Sequence, residues 1–306
     1  MKVIFLGTPD FAVASLKSII ESKHQVVAVV TQPDKPVGRK AIITPCKVKE
    51  FALSQGLNVL TYEKISRDGV SDLKNLNADI MVTCAYGQIL SSEILNLTKY
   101  GVINVHASLL PKYRGSAPIQ WSIINGDSKT GVTIMQTALG VDTGDILLQR
   151  ELEISKTETA GELFDRLSVL GSEMIVTALD LIESGNAKPV KQNESLATHV
   201  SMLKKEHGRL DFSKPAIQLY NLIRGLNPWP VAFTFYEGKM LKIYSAELSS
   251  ESGNAGEVKV EGSKILVHCA QGSLKLNEIQ LEGSKRMSAK EFLLGRKLTS
   301  GYVLGK

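Results

Sequence analysis

The sequence predicts an α/β protein, with a Rossmann-like parallel-sheet domain followed by a smaller OB-like β-barrel. In the first two thirds of the chain, short apolar runs alternate with segments of helical apolar spacing. Beyond residue 207 the pattern changes to five short β-type runs separated by Gly, Ser and Asn. The length of 306 residues exceeds what one compact core usually holds. We therefore expect a first domain over residues 1–188, a linker over 189–206 and a second domain over 207–306.

The chain opens with a strand, a glycine turn and a helix. Residues 2–6 (KVIFL) are a buried strand, and Gly7 begins the turn. The tripeptide Thr-Pro-Asp at residues 8–10 places a hydroxyl N-cap, a proline at the first helical position and an acid in the first turn. A dinucleotide fingerprint needs three glycines here, whereas the sequence has one and Pro9 lacks a backbone N–H. We therefore exclude a nicotinamide oxidoreductase.

The remaining elements are predicted from the same two patterns, short apolar runs for strands and helical apolar spacing for helices. In the first domain we expect strands at residues 26–31, 58–61, 79–83, 102–106, 132–137 and 145–152. Helices are expected at 47–53, 117–124 and 160–184. In the second domain we expect a helix at 217–226 and strands at 231–236, 240–246, 256–260, 264–270 and 274–280.

Composition excludes several classes of protein. The chain is 43% hydrophobic and 22% charged, which is unlike disordered, collagenous or coiled-coil sequences. Its apolar runs fall far short of the roughly 20 residues of a membrane span, and the first strand leads into a turn without a signal-peptide pattern. Cys46, Cys84 and Cys269 lie far apart, so we expect neither a disulfide framework nor a zinc site. These features predict a cytoplasmic protein that does not bind membranes.

The positive charge is concentrated at the C-terminal end. The net charge is +5, and residues 207–306 hold 14 basic and 9 acidic side chains, which accounts for all of it. A basic lobe beside a neutral one favours a polyanionic partner, and nucleic acid is favoured over membrane because no basic amphipathic stripe is present. The alternative is an ordinary surface, since such an excess also occurs in proteins that bind no polyanion.

Polar side chains at the end of the strand at 102–106 are the first candidate site. Asn104 and His106 are two residues apart in a strand and therefore project from the same face. They stand at the carboxyl edge, where open α/β sheets bind ligands. An amide donor beside an imidazole is suited to stabilising an oxyanion. A buried Asn and His that are satisfied by the backbone remain an equal alternative.

The second candidate is the loop 140–145, Gly-Val-Asp-Thr-Gly-Asp. Its glycines permit close approach of the backbone to a ligand, and a carboxylate such as Asp142 is suited to orienting His106. On its own, the pattern also fits an ordinary turn.

These segments together resemble the formyltransferase family that uses 10-formyltetrahydrofolate. The run NVHASLLPKYRG, residues 104–115, matches the signature of that family, and the family's catalytic Asp lies 38 residues after the Asn, at Asp142 here. The segments GTPDFA, TQPDKPVGR, AYGQIL and NPWP are similar to those of members that formylate the methionyl α-amine of charged initiator tRNA. The resemblance covers nearly the whole chain and is weaker beyond residue 207.

The resemblance implies an enzyme with 10-formyltetrahydrofolate as co-substrate and no metal, and we expect a monomer. It implies that Asn104 and His106 donate to the tetrahedral oxyanion and that Asp142 orients the imidazole. It makes residues 1–188 the catalytic domain and residues 207–306 a tRNA-binding domain. The folate site it implies is formed by Ser108, Leu109, Leu110, Pro111, Tyr86, Gly87, Gln88, Ile89 and Leu90. Leu109 and Leu110 are alternatively part of the apolar core.

The proline-rich loop 32–50 is the expected contact with the tRNA acceptor end. Its basic side chains outnumber Asp34 and Glu50, and its prolines keep it extended. The basic side chains expected to bind tRNA are Lys35, Arg39, Lys40, Lys47 and Lys49. The alternative for the loop is a solvated surface segment. Two other functions also remain open: a formyltransferase for a small amine, which would need neither this loop nor the basic lobe, and a non-catalytic RNA-binding module.

Overall fold

The computed structural model describes residues 1–38 and 41–305, which form two compact units. The first unit comprises Met1–Gly115, Thr130–Glu153 and Phe164–His199. The second comprises Ser116–Lys129, Ile154–Leu163 and Val200–Lys306. The boundaries at residues 188 and 207 that the sequence suggests stay predictions.

The elements before residue 201 follow the apolar runs of the sequence. The strands are β1 Lys2–Gly7, β2 Gln25–Thr31, β3 Lys35–Val37, β4 Ile42–Thr44, β5 Val59–Thr61, β6 Ile80–Cys84, β7 Val102–His106, β8 Arg114–Gly115, β9 Lys129–Gln136, β10 Ile146–Glu153 and β11 His199–Val200. The helices are α1 Phe11–Ile20, α2 Lys47–Ser54, α3 Ile65–Asp68, α4 Val70–Asn75, α5 Ser92–Leu95, α6 Pro118–Ile124 and α7 Ala160–Glu183.

A seven-stranded sheet forms the centre of the first unit, in the order β10-β9-β7-β6-β1-β2-β5. β1 is parallel to β2 and β6, β6 is parallel to β7, and β2 is parallel to β5. The inner strands are continuous apolar runs because both faces of a parallel sheet are covered, and Val3 to Leu6 are fully buried. The predicted parallel sheet is confirmed. β9 runs antiparallel to β7, a direction that apolar periodicity does not reveal.

The prediction that Thr8 caps α1 is wrong. The helix begins at Phe11, and the N-cap is Asp10, whose carboxylate accepts a hydrogen bond from the Phe11 amide at 3.1 Å. The Thr8 hydroxyl instead donates to the carbonyl oxygen of Tyr86 at 3.0 Å. Thr8 therefore joins the end of β1 to the loop that follows β6.

The loop 32–50 contains more regular structure than its prolines suggested. β3 and β4 pair antiparallel, with Lys35 opposite Thr44, and α2 begins at Lys47 as expected. Pro36 is tolerated in β3 because this two-stranded ribbon has free edges. Arg39 and Lys40 lie outside the described residues.

The second unit contains the predicted antiparallel domain. Its later elements are α8 Ala216–Gly225, β12 Ala232–Tyr236, β13 Lys239–Ser249, β14 Val258–Glu261, β15 Lys264–His268, β16 Ser273–Leu281, β17 Met287–Ser288 and α9 Ala289–Gly295. The strand order is β12-β13-β16-β15-β14, with β17 beside β16. The predicted antiparallel C-terminal domain is confirmed, and α8 packs on β13 and on α6.

Sequence reasoning missed α9, although its start is visible. Ser288 and Glu291 form a capping box in which each side chain bonds the backbone N–H of the other. The Ser-x-x-Glu spacing is the signature of that motif. Phe292 anchors the helix in the core of this unit. Within the described residues, every helix is too short or too polar to span a lipid bilayer.

Candidate active site

Asn104 and His106 lie on β7, between β6 and β9 in the first unit. Asn104 stands beside Thr83 of β6 and Met135 of β9. Asn104 is half-buried, whereas His106 is 6% exposed. The strand therefore holds both side chains at the carboxyl edge of the parallel strands, as expected.

Thr83 orients the Asn104 side chain. Its hydroxyl oxygen lies 2.8 Å from Asn104 Oδ1 and 3.2 Å from the carbonyl oxygen of Ile103. The shorter contact assigns the hydroxyl hydrogen to Asn104 Oδ1, which leaves the amide N–H groups of Asn104 for another acceptor. Sequence reasoning missed Thr83 because a β-branched residue in an apolar strand is typical of ordinary strand packing.

The two ring nitrogens of His106 have different neighbours. Nε2 lies 3.0 Å from the carbonyl oxygen of Tyr113. Since a carbonyl oxygen only accepts, Nε2 carries the proton and donates. Nδ1 faces Asp142, with 3.6 Å between Nδ1 and Oδ2. This distance is in the range of an ion pair but too long for a hydrogen bond.

The Asp142 loop is fixed by hydrogen bonds from two sides. The Gly115 amide donates to Asp142 Oδ2 at 2.7 Å. The Gln192 amide nitrogen donates to the carbonyl oxygens of Asp142 and Gly144, at 2.8 and 2.7 Å. Only glycine fits at residue 144, because a Cβ there would collide with the carbonyl oxygen of Gln136. The glycines noted in the sequence thus serve the folding of the loop.

Left-handed backbone conformations occur at three non-glycine residues of this region. Their φ angles are 48° at Ala85, 60° at Tyr113 and 53° at Asp142. For a bulky residue such as Tyr113 this conformation is rare. It costs about 1–3 kcal/mol and persists where surrounding contacts impose it, often at functional sites. At Tyr113 it accompanies the carbonyl contact to His106.

The proposed folate residues after β7 differ in accessibility. Ser108 and Leu110 are buried, and Leu109 and Pro111 are half-buried. The Ser108 hydroxyl donates to the carbonyl oxygen of Lys112 at 2.6 Å. Of this group, Leu109 and Pro111 retain surface for a ligand, and Ser108 and Leu110 are in positions that shape the loop.

The proposed folate residues after β6 divide in the same way. Gly87 and Ile89 are exposed, the latter by 82%, whereas Tyr86 and Leu90 belong to the apolar core of the first unit. Burial raises the pKa of the Tyr86 hydroxyl to about 12. The Gln88 side chain accepts from the Ile65 amide at 2.9 Å and donates to the Tyr62 carbonyl oxygen at 2.8 Å. Gly87 and Ile89 are thus the residues of this loop with surface for a ligand.

Ion pairs neutralise part of the basic loop. Lys49 Nζ lies 2.8 Å from Asp34 Oδ2, and Lys47 Nζ lies 2.7 Å from Glu50 Oε2. The Lys47 side chain is still 65% exposed, that of Lys49 only 23%. Lys35 is exposed on β3. Of the expected tRNA contacts, Lys35 and Lys47 are therefore accessible, and Lys49 serves the internal structure of the loop.

Among the residues that the structure describes, one cluster of potential metal ligands lies away from this site. His24, Asp180 and Glu183 have ligand atoms within 4.8 Å of one another. Lys23 Nζ lies 2.9 Å from Asp180 Oδ1 and 3.0 Å from Glu183 Oε2. Because an ammonium group already neutralises the carboxylates, we interpret the cluster as an ion-pair network. The expectation of a metal-free enzyme stays a prediction.

The family of the chain follows from comparison with known proteins. The family model described as formyl transferase matches residues 1–179, and that of the formyl transferase C-terminal domain matches residues 202–297. The chain therefore belongs to the formyl transferase family, a family of formyl-transferring enzymes.

Relatives that match the full length of the chain indicate its subgroup within the family. A methionyl-tRNA formyltransferase from Lachnospira eligens is 49% identical, and the match covers 100% of both chains. One from Caldanaerobacter subterraneus subsp. tengcongensis is 46% identical over 99% of this chain and 100% of the relative. Within the family, the chain groups with the methionyl-tRNA formyltransferases.

Solved structures share the fold. The sugar 3N-formyl transferase WlaRD, crystallised with dTDP and 5-N-formyl-THF, has a TM-score of 0.70 at 20% identity, covering 93% of this chain and 99% of that one. An N-formyltransferase from Helicobacter canadensis, in complex with folinic acid and dTDP-3-aminofucose, has a TM-score of 0.69 at 20% identity, covering 90% and 98%. At this identity the likeness shows the fold alone.

Proposed function

We propose that the protein transfers the formyl group of 10-formyltetrahydrofolate to the α-amine of methionyl-tRNA. The product is N-formylmethionyl-tRNA for the start of translation in the cytoplasm. The observation that carries this proposal is the approach of Asp142 to His106, with 3.6 Å between Oδ2 and Nδ1, beside Asn104 and within one unit. The full-length relatives named for this activity support it, and a site within one unit fits a monomer.

The amine must attack as the neutral base. Free α-amines titrate near 7.7–8.0, so a fraction is already deprotonated at neutral pH. The folate supplies an activated acyl carbon, and attack on it places negative charge on the formyl oxygen. Stabilising that charge and moving one proton are therefore the tasks left to the protein.

Asn104 is suited to stabilising the oxyanion. Thr83 engages its side-chain oxygen, so the amide N–H groups are directed to another acceptor before the reaction begins. A donor fixed in advance needs no reorganisation as charge develops, and one such donor is worth about 2.7–4 kcal/mol.

His106 is suited to carrying the proton through Nδ1, because Nε2 already donates to Tyr113. In its neutral form, Nδ1 accepts the proton that the attacking nitrogen loses. The resulting N–H donates to the oxyanion and then delivers the proton to the departing N10 of the folate. Asp142, with Oδ2 at 3.6 Å from Nδ1, stabilises the imidazolium that exists between these two proton transfers.

The accessible residues support a binding position for each substrate. Gly87, Ile89 and Leu109 supply backbone and apolar surface that fits a flat pterin ring. Lys35 and Lys47 supply accessible positive charge for the acceptor end of the tRNA, and the sequence adds Arg39 and Lys40, which lie outside the described residues. The second unit has exposed basic side chains of its own that suit a phosphate backbone, and these include Arg209, Lys214, Lys239, Lys264, Lys290, Arg296 and Lys297.

Transfer of a labelled formyl group tests the proposal. The protein is incubated with 10-formyltetrahydrofolate labelled in the formyl carbon and with charged initiator methionyl-tRNA. We expect the label in N-formylmethionine released from the tRNA. Label that appears only as free formate, or that stays on the folate, would contradict the proposed transfer.

A further inference from the structure

Residues 192–198 hold the two loops that flank His106, although the sequence around them has the composition of a linker. We propose that Gln192 is a positioning residue for Asp142, and that residues 192–198, the clamp segment, fix the loops that orient His106. The proposal rests on the proposed function for its kinetic test but not for its structural one.

The Gln192 amide uses all of its hydrogen-bonding capacity. Its nitrogen donates to the carbonyl oxygens of Asp142 and Gly144. Its oxygen accepts from Arg114 Nε at 3.0 Å and from Arg114 Nη2 at 2.8 Å. A guanidinium only donates and a carbonyl oxygen only accepts, so the orientation of the amide is unambiguous. Gln192 is therefore bound to the Asp142 loop on one side and to Arg114 on the other.

Arg114 anchors the clamp segment. Its side chain is only 2% exposed, and it forms a bidentate pair with Glu194 at 2.7 and 2.8 Å. This pair lowers the pKa of the Glu194 carboxyl below its usual range. A planar guanidinium held by two partners is a rigid support. The buried Arg114 side chain thus holds Gln192 on one side, and Gln192 contacts the Asp142 loop on the other.

The same segment fixes the opposite side of the imidazole. Thr198 accepts from the Tyr113 amide through its hydroxyl oxygen and from the Arg114 amide through its carbonyl oxygen, both at 2.8 Å. Tyr113 is the residue whose carbonyl oxygen accepts from His106 Nε2. The clamp segment therefore sets the neighbours of both ring nitrogens, Tyr113 at Nε2 and Asp142 at Nδ1.

Loss of Gln192 should act on catalysis through Asp142. Removing its amide leaves two carbonyl oxygens without this donor, one of them on Asp142, whose backbone is left-handed, and we expect the loop to relax. Residues that hydrogen-bond the ligands of a metal typically change activity about 10- to 100-fold when mutated, and we expect an effect of the same size for Gln192. Substrate binding, which uses other residues, should change little.

The kinetic test compares Gln192→Leu with Gln55→Leu, the same change at an exposed position at the end of α2. We expect Gln192→Leu to lower kcat by about 10- to 100-fold with KM for the folate nearly unchanged, and Gln55→Leu to match the parent. In an Asp142→Asn background, Gln192→Leu should lower kcat no further. A full additional loss in that background would overturn the proposal, as would a parent-like kcat in the single variant.

The structural test needs no activity and decides the proposal if the parent formylates no tRNA. Amide hydrogen exchange is measured at Gly115, which donates to Asp142 Oδ2, and at Val105 in the sheet as a control. We expect Gln192→Leu, and the near-isosteric Gln192→Glu if the leucine variant does not fold, to speed exchange at Gly115 at least about tenfold while Val105 stays protected. Parent-like protection at Gly115 would overturn the proposal.

Discussion

Single hydrogen bonds decide what the side chains at the end of β7 can do. The bond from Thr83 engages the side-chain oxygen of Asn104, and the bond to Tyr113 reserves Nε2 of His106. The groups that these two bonds leave for a substrate are the amide N–H groups of Asn104 and Nδ1 of His106. Asn104, His106 and Asp142 can therefore be mutated separately. The residue that orients each of them can be mutated as a second test.

Removing the oxyanion donors should mainly lower kcat. We expect Asn104→Ala and His106→Ala to lose at least about 100-fold in kcat with folding intact, because such donors act in the transition state. Thr83→Val should lose about tenfold, because the amide is no longer oriented. Thr83→Ser restores the hydroxyl and should recover most of the loss. Near-parent turnover in Asn104→Ala would remove Asn104 from the site.

The Asp142→Asn variant should have lower activity although the new side chain has the same shape. The amide oxygen can still accept from Gly115, but it lacks the charge that stabilises an imidazolium at Nδ1. We expect kcat to fall at least about tenfold, with an altered pH–rate profile. A profile unchanged in both height and shape would contradict the coupling of His106 and Asp142.

Strands were more predictable from sequence than the contacts of the site. Buried parallel strands are continuous apolar runs, and β7 has the predicted bounds, Val102–His106. The bonds that orient the site join residues distant in sequence, 21 positions apart for Thr83 and Asn104 and 50 for Gln192 and Asp142. No local pattern marks such pairs. Only the glycines at 140 and 144 and the family resemblance indicated the Asp142 loop.

The loop 32–50 combines internal ion pairs with accessible cations. We expect Arg39→Ala to weaken binding of charged initiator tRNA by about 1–3 kcal/mol. Lys35→Ala should make the tRNA affinity less dependent on salt concentration, by about the contribution of one phosphate contact. Folate binding should barely change in either variant. Lys17→Ala, an exposed lysine on α1, is the matched control. Formylation kinetics equal to those of the parent in both loop variants would make the loop structural.

A cross-strand ion pair in the second unit should give a pH-dependent contribution to stability. Glu247 on β13 lies opposite Lys275 on β16, with 2.9 Å between Oε2 and Nζ. Lys275, followed by Asn277, holds the pKa of the Glu247 carboxyl below its usual range. The contribution is therefore present above the unfolded pKa of about 4.3 and is lost as the pH falls through the lowered folded value.

Thermal unfolding of Glu247→Gln tests this pair. At neutral pH the variant should be less stable by at most about 1 kcal/mol, since the pair is exposed to solvent. The difference from the parent should vanish in acid and shrink in high salt. A difference that persists below the lowered pKa would show that the loss is not electrostatic.

At the scale of the whole molecule, the chain crosses between its two units more than once. Residues 116–129 and 154–163 belong to the second unit, and α6 within them packs on α8. Deleting the chain after Glu206 would uncover α6, so the contribution of the basic lobe to tRNA binding is better measured by neutralising its lysines and arginines in the full chain. The excess of positive charge lies in the same lobe, residues 207–306.

Charged initiator tRNA is the formyl acceptor that we propose for this site. The most direct measurement compares kcat/KM for charged initiator methionyl-tRNA and for a nucleotide-linked amino sugar, with 10-formyltetrahydrofolate as the donor for both. We expect efficient formylation of the methionyl amine and a kcat/KM for the amino sugar lower by orders of magnitude. Efficient formylation of the amino sugar, with the charged tRNA left unformylated, would contradict it.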